Sequence, residues 1–420
     1  GVNSCPTTLG SPPIRTFTVQ AWMAKDLVGA KGILYNKNFD FKDPAGIVYI
    51  DANDFTAITT SARPLEPLVL RINSGDCVEV TLQNKLPLTV TEYDSWNEVP
   101  PIIPAFNFNQ VKTSNRISLH PQLLFHDVTG SDGAAIGQNP DTTVGPGQSI
   151  KYAWYAGTVL VSGSTVTFSP IEYGTTHLRD YGDVIKHYSH GAIGTLIVEP
   201  KGTTQTLVGA SNATADVRNS GFDTVLFREF VVHYQDGLTM QNKAGLAMKN
   251  NRANDDSEDS GQKAFNYKTE PIWARLGLPP ETDLRTLGDQ DYTNTLSSLA
   301  TNAGCGTTPC DPATPLFTAK AGTSVRFRVL QSAGHSRQHG FTLFGHHWNF
   351  EPWTKNSTVL GVNPFTFEIG SQSGIGPTRH LNVLTKAGGL NNIIGDYLYR
   401  TQDSFNFSGG LWGIFRVTAP

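Results

Sequence analysis

The stretch Pro67–Pro87, PLVLRINSGDCVEVTLQNKLP, alternates apolar and polar residues on both sides of a Ser-Gly-Asp turn. Alternation with period two marks strands that bury one face, so the stretch predicts two strands joined as a hairpin. The pattern returns in Leu316–Gln331, LFTAKAGTSVRFRVLQ, again with Gly at the turn. Between and after these come GTVLVSGSTVTFSP (157–170), GAIGTLIVEP (191–200) and DTVLFREFVVHY (223–234), all strand-like. The late segment GDYLYRTQDSFNFSGGLWGIFRV (395–417) also matches GTTHLRDYGDVIKHYSHGAIGTLIVEP (174–200) in layout. Two ordered matches indicate an internal duplication, with one β-sandwich in residues 1–200 and a second in 222–420. The polar segment 201–221 reads as the linker, and the polar run near 241–262 as a mobile surface loop.

Composition narrows the function classes. The chain has 420 residues with 41 Gly and 25 Pro, only 16% charged residues and a net charge of -4. Turn-rich, sparsely charged composition favours an all-β chain and gives no electrostatic footprint for nucleic acid or an anionic membrane. No apolar run approaches the roughly 20 residues that membrane insertion requires. There is no P-loop, nucleophile elbow or dinucleotide fingerprint. Four cysteines are present: Cys305 and Cys310 bracket the loop CGTTPC, and Cys5 and Cys77 lie near the start. Disulfides at both places, with buried thiols as the alternative, imply an oxidising compartment and hence an exported protein. The start at Gly1 reads as a processed or trimmed product.

PGQSIKYAWYA (146–156), GAIGTLIVEP, HGFTLFGHHW (339–348) and the closing YLYRTQDSFNFSGGLWGIFRV (397–417) together resemble the cupredoxin domains of the multicopper oxidase and copper nitrite reductase superfamily. The resemblance covers most of 60–200 and 310–420, and implies two tandem cupredoxin-like Greek-key β-sandwich domains. It also implies which chemistry is missing. The places that bind blue copper in the last cassette of such oxidases hold Arg400, Thr401, Gln402, Asn406 and Leu411 here, with no thiolate. The corresponding first-domain places of the reductases hold His177, Leu178, His187 and Ala192, again without the cysteine.

Of the eight places that serve a trinuclear cluster (Leu124 and His126, His177 and Arg179, Thr342 or Phe344 and His346, Arg400 and Gln402), three keep a histidine. By resemblance His126, His177 and His346 form one type 2-like copper site between domains, with zinc as the alternative ion. In the family the third ligand usually comes from a neighbouring subunit, which implies a homotrimer or another assembly. An oxidoreductase fed by an external donor is then expected. Nitrite reduction is not, because Leu124 stands where the proton-handling Asp falls. The pattern also resembles domain pairs of the six-domain oxidases related to manganese oxidation. The competing expectation is a metal-free structural or interaction protein of a cell-surface or multi-subunit assembly.

Other histidines carry weaker readings. His187 and His190 could form a second site with His120, against surface or supporting roles. His335, His339 and His347 read as packing or weak ligands, and His233 and His380 show no pattern. Asp180 and Asp183 are expected to pair with Arg179, with orientation of a ligand histidine as the alternative. Asn212, Asn356 and Asn406 fit the glycosylation acceptor pattern.

Overall fold

A computed structural model describes residue 5 and residues 12–90, 112–238, 240–248, 261–279, 293–300, 308–334, 338–354, 357–361, 363–402 and 404–420. The Pro67–Pro87 stretch supplies the strands Leu68–Asn73 and Cys77–Asn84, but they are not a hairpin. Leu68–Asn73 runs parallel to Gly194–Glu199 in one sheet. Cys77–Asn84 joins the other sheet, parallel to Ile14–Met23 and antiparallel to Ser149–Tyr155. The turn therefore arches across the sandwich. Leu68, Leu70 and Ile72 face Val78, Val80 and Leu82 through one core, which a flat hairpin would have placed on a single layer. Gly75 makes the crossing with φ 86°, and the Asp76 amide donates to Asn73 O at 3.0 Å.

The second domain repeats the device. Leu316–Lys320 lies parallel to Trp412–Thr418. Across the core, Ser324–Ala333 lies parallel to Val225–Leu238 and antiparallel to His380–Lys386. Gly322 turns with φ 84°, and the Thr323 amide donates to Lys320 O at 3.1 Å. The fold is all-β, with two cupredoxin-like sandwiches in tandem, each holding its own apolar core.

Two expectations about the connections change. Residues 201–221 are not a linker: Thr203–Leu207 and Thr214–Asn219 pair antiparallel, and the latter pairs with Val225–Leu238. This Thr-rich hairpin is the polar edge of the second domain's larger sheet, and its solvent-facing side chains gave it the composition of a loop. Within the expected loop near 241–262, residues 249–260 lie outside the described residues. Its first part is held, because Gln241 exchanges backbone hydrogen bonds with Lys42 at 2.7 and 3.1 Å.

The domains meet over a buried ionic cluster. Arg328 donates to Glu199 of the first domain at 2.8 Å and to Glu229 of its own at 3.1 Å, while Arg71 reaches back to Glu229. Arg326 pairs with Glu172 across the same seam at 2.7 Å. Buried charges are tolerated only with their partners in place, so this cluster ties one relative setting of the sandwiches to the fold. Cys5 and Cys77 form the expected disulfide. Cys310 is disulfide-bonded too, and Cys305 lies outside the described residues. Among the described residues no helix is long and apolar enough to cross a membrane.

Candidate metal centre

Two very short strands build the site. His120–Pro121 pairs with Gly174–Arg179, and Phe125–His126 pairs with Ser149–Tyr155 in the opposite sheet. The chain thus switches sheets within a few residues and brings two imidazoles together at the crossing, their rings edge to face at 5.6 Å. The third group, Asp132, comes from the loop that follows. Ser131 pins this loop, accepting from Trp154 Nε1 at 3.0 Å through its carbonyl and from the Ala153 amide at 3.0 Å through its hydroxyl. Gly133 lets the loop close: a Cβ there would lie 2.2 Å from Leu119 O.

Among the described residues, His120, His126 and Asp132 are the one group of three or more His, Cys, Asp or Glu residues with a donor atom each within 4.8 Å of one another. Asp132 Oδ1 lies 3.2 Å from His120 Nδ1 and 3.1 Å from His126 Nε2. The side chains keep 27%, 14% and 7% of their exposure for His120, His126 and Asp132, so solvent reaches the rings but hardly the carboxylate. Tyr181 packs edge-on against His120 at 5.1 Å.

The proton positions follow from chemistry. A carbonyl oxygen only accepts, so His126 Nδ1 donates to Leu124 O at 3.0 Å and His120 Nδ1 donates to Asp132 O at 2.7 Å. In the neutral ring, His126 Nε2 then points a lone pair at a carboxylate oxygen. Two acceptors at 3.1 Å call for a cation between them, either a proton or a metal ion. Donors bound to one ion at about 2.0–2.2 Å sit about 3.0–3.5 Å apart, which is the separation of His126 Nε2 from Asp132 Oδ1; His120, whose Nδ1 carries its proton, would join the ion through Nε2. The carbonyl that holds the far nitrogen is the outer support that metal-bound histidines ordinarily have. The donor set therefore fits a copper or zinc ion.

The structure does not bring His126, His177 and His346 together. His346 Nδ1 donates to Phe344 O at 2.8 Å and its Nε2 accepts from the Gly388 amide at 3.1 Å, so neither nitrogen is open to a metal. It is a packing residue of the second core, against Tyr397 and Phe415, and burial lowers its pKa. His177 lies in the seam between domains and donates from Nε2 to Arg379 O at 3.1 Å. Burial first, then the neighbouring His380, push it well below the usual imidazole range. Resemblance placed these residues by cassette position, whereas local hydrogen bonds decide what each ring can bind.

The remaining readings sort in the same way. His187 is gripped by Asp180 at 2.6 Å and Ser114 O at 2.7 Å, and His190 by Asp43 at 2.7 Å, so neither joins His120. Burial pushes His187 down, but Asp180 and Asp183 more than offset it and its pKa is raised. Asp180 and Asp183 thus serve His187 and nearby amides rather than Arg179, whose Nη1 lies 3.5 Å from Ser332 O. His347 pairs with Glu368, and His335 lies outside the described residues. In the closing segment, Thr401 is fully buried with its hydroxyl 3.4 Å from His339 Nδ1. Gln402 donates to Ser371, and Leu411 belongs to the core. Asn212 donates to Pro67 O, Asn406 is buried, and Asn356 lies outside the described residues. Sequence reasoning missed Asp132. Its only signal is the spacing of His120, His126 and Asp132, six residues apart each time.

No family model and no curated protein matches the chain. Among solved structures it is similar to a multicopper oxidase, 14% identical over 99% of this chain and 93% of that one, with a TM-score of 0.49. It is also similar to a copper nitrite reductase from Nitrosomonas europaea, 12% identical over 96% and 94%, with a TM-score of 0.46. A blue copper oxidase from the same organism is 12% identical over 96% of this chain and 86% of that one, with a TM-score of 0.47. Such likeness concerns the layout of strands, and ligands have to be argued from the geometry above.

Proposed function

We propose that the protein is an exported cupredoxin-fold metalloprotein that holds one type 2-like copper ion, or zinc, on His120, His126 and Asp132. The observation that carries this reading is the lone pair of His126 Nε2 facing Asp132 Oδ1 at 3.1 Å, with the other ring nitrogen tied to Leu124 O. Bound copper would supply one-electron chemistry and Lewis acidity, and zinc the second alone. The chain's own contribution is positional. Leu124 O and the Asp132 carbonyl hold the two rings, and Tyr181 covers one edge of His120. With Leu178 and Thr401 standing where a blue-copper cysteine would fall by resemblance, an oxidoreductase reaction would take its electrons from an outside donor. Disulfides at Cys5–Cys77 and at Cys310 support an oxidising location.

The test is metal content of the native chain by mass spectrometry, beside His126→Ala. About one copper or zinc per chain, lost in the variant, is the expected outcome; metal-free native protein that also fails to load would overturn it.

A second reading, a metal-free assembly module, is favoured by one surface. Phe365 and Phe367 are 91% and 65% exposed, and Phe367 stacks on Phe350 at 5.5 Å. Apolar surface of this kind suits self-association, including the trimer implied by resemblance. Light scattering tests it, with a monomer as the contrary result.

A further inference from the structure

The second domain holds a sealed counterpart of the open cluster. Asp236 lies on Val225–Leu238 and Lys263 on the adjacent antiparallel strand Gln262–Phe265. The register passes from Gln235↔Ala264 to Leu238↔Gln262, so Asp236 and Gly237 together face Lys263 in a bulge. Gly237 takes φ 62°. The bulge turns the Asp236 carboxylate onto Lys263 Nζ, which it contacts through Oδ1. His339 Nε2 approaches the other oxygen, Oδ2, at 2.8 Å. All three side chains are 0% exposed, and Leu238, Ala264 and Ala333 nearby belong to an apolar cluster. A Cβ on Gly334 would lie 2.6 Å from the Asp236 Cβ, so the carboxylate is also backed by main chain.

Each part has the role an acyl condensation needs. Because a carboxylate oxygen only accepts, His339 carries a proton on Nε2 aimed at Oδ2, while its Nδ1 lies 3.4 Å from the Thr401 hydroxyl. Burial pushes the Asp236 carboxyl up, and Lys263 and His339 more than offset it, down to about 2, so the unreacted pair is an ion pair. Full charges held away from water are costly even when paired, and joining them as an amide removes both.

We propose that Lys263 and Asp236 become joined by an intramolecular isopeptide bond, with His339 as the catalytic proton carrier. One ammonium proton passes to the carboxylate, giving an amine and an acid. Lys263 Nζ attacks Asp236 Cγ, the N–C bond forms and the Cγ–Oδ2 bond breaks with its electron pair on oxygen. Two of the three ammonium protons end on the departing Oδ2, one of them relayed through His339 Nε2, and one water leaves. Ammonium and carboxylate cancel in charge, nothing is oxidised or reduced, and no co-reactant is needed. The product staples two neighbouring strands through a neutral amide whose carbonyl oxygen is the former Asp236 Oδ1.

The experiment is intact mass spectrometry of the full native chain after reduction and denaturation, followed by proteolysis and fragmentation. The expected mass is that of the sequence less one water, with a branched peptide linking Lys263 to Asp236, and no such loss in Asp236→Ala. Asp236→Asn should reach the same final mass as the native chain, by loss of ammonia instead of water. An unmodified mass for the native chain, with Asp236 and Lys263 recovered on separate peptides, overturns the bond and leaves an ion pair only. Complete cross-linking in folded His339→Ala overturns the proton-carrier role.

Discussion

His120, His126 and Asp132 in the first domain and Lys263, Asp236 and His339 in the second are built from similar materials: imidazole, carboxylate and a demand for positive charge. They differ in water and in tethering. The first group sits at a sheet crossing, with its rings 27% and 14% exposed, and among the described residues no lysine or arginine hydrogen-bonds Asp132. A cation arriving from solvent can occupy that position. The second is 0% exposed and carries its own cation on the Lys263 side chain. Exposure therefore separates a site that can exchange an ion from one that has closed around an internal charge.

Removing the tethered cation is expected to have the largest effect. Lys263→Met leaves the Asp236 carboxylate buried without the lysine that neutralises it, by ion pair or by the proposed amide, and unfolding in denaturant should show a loss of at least about 3–5 kcal/mol. A variant as stable as the native chain would break the contrast between sealed and open clusters.

His126→Ala should do the reverse, with a small change in stability of the metal-free chain but a large one in metal affinity. Titration with copper or zinc is expected to show a loss exceeding the about 10- to 100-fold typical of outer-shell changes. Asp132→Asn, which keeps the shape and removes the charge, should weaken the metal less than His126→Ala and by the same assay.

The sealed imidazoles in the seam set the acid limit. Burial holds His233 at about 3 and His380 at about 4, and His177 moves in the same direction. Their folded values lie below the unfolded one of about 6.5, so the unfolded chain binds more protons in that window. Stability is full above about pH 6.5 and falls towards pH 4, by up to about 1.4 kcal/mol per pH unit for each such group. His187, whose folded value is raised, acts in the other window: its contribution is full below about pH 6.5 and is lost as pH rises through the folded value. Denaturation midpoints across pH 4 to 8 check this, and a flat profile would contradict the burial of these rings.

The smallest effect concerns the metal in His346→Gln, which should bind as the native chain does. Equal stoichiometry sharpens the contrast between a packing histidine and a ligand, and loss of metal would break it.

The sequence made the sandwiches legible because alternation survives in strands such as Leu68–Asn73, Cys77–Asn84 and Leu316–Lys320, although Gly194–Glu199 and most of Val225–Leu238 are buried throughout. It could not separate an arch from a hairpin, since Gly75 and Gly322 serve either and only the pairing partners far along the chain decide. The edge hairpin 203–219 was hidden by its Thr-rich, half-exposed strands. At the site, position alone pointed to His126 but also to His177 and His346, whose rings are spoken for by Arg379, Phe344 and Gly388. Asp132 lay in a Gly-rich loop with no periodicity, and its approach depends on the Gly133 contact with Leu119.

The most direct test of the metal centre is anomalous X-ray diffraction from crystals of the copper- or zinc-loaded protein. The account predicts one peak bonded to His126 Nε2 and an Asp132 carboxylate oxygen, with His120 beside it. A peak shared by His126, His177 and His346, or no peak at saturating metal, would contradict it.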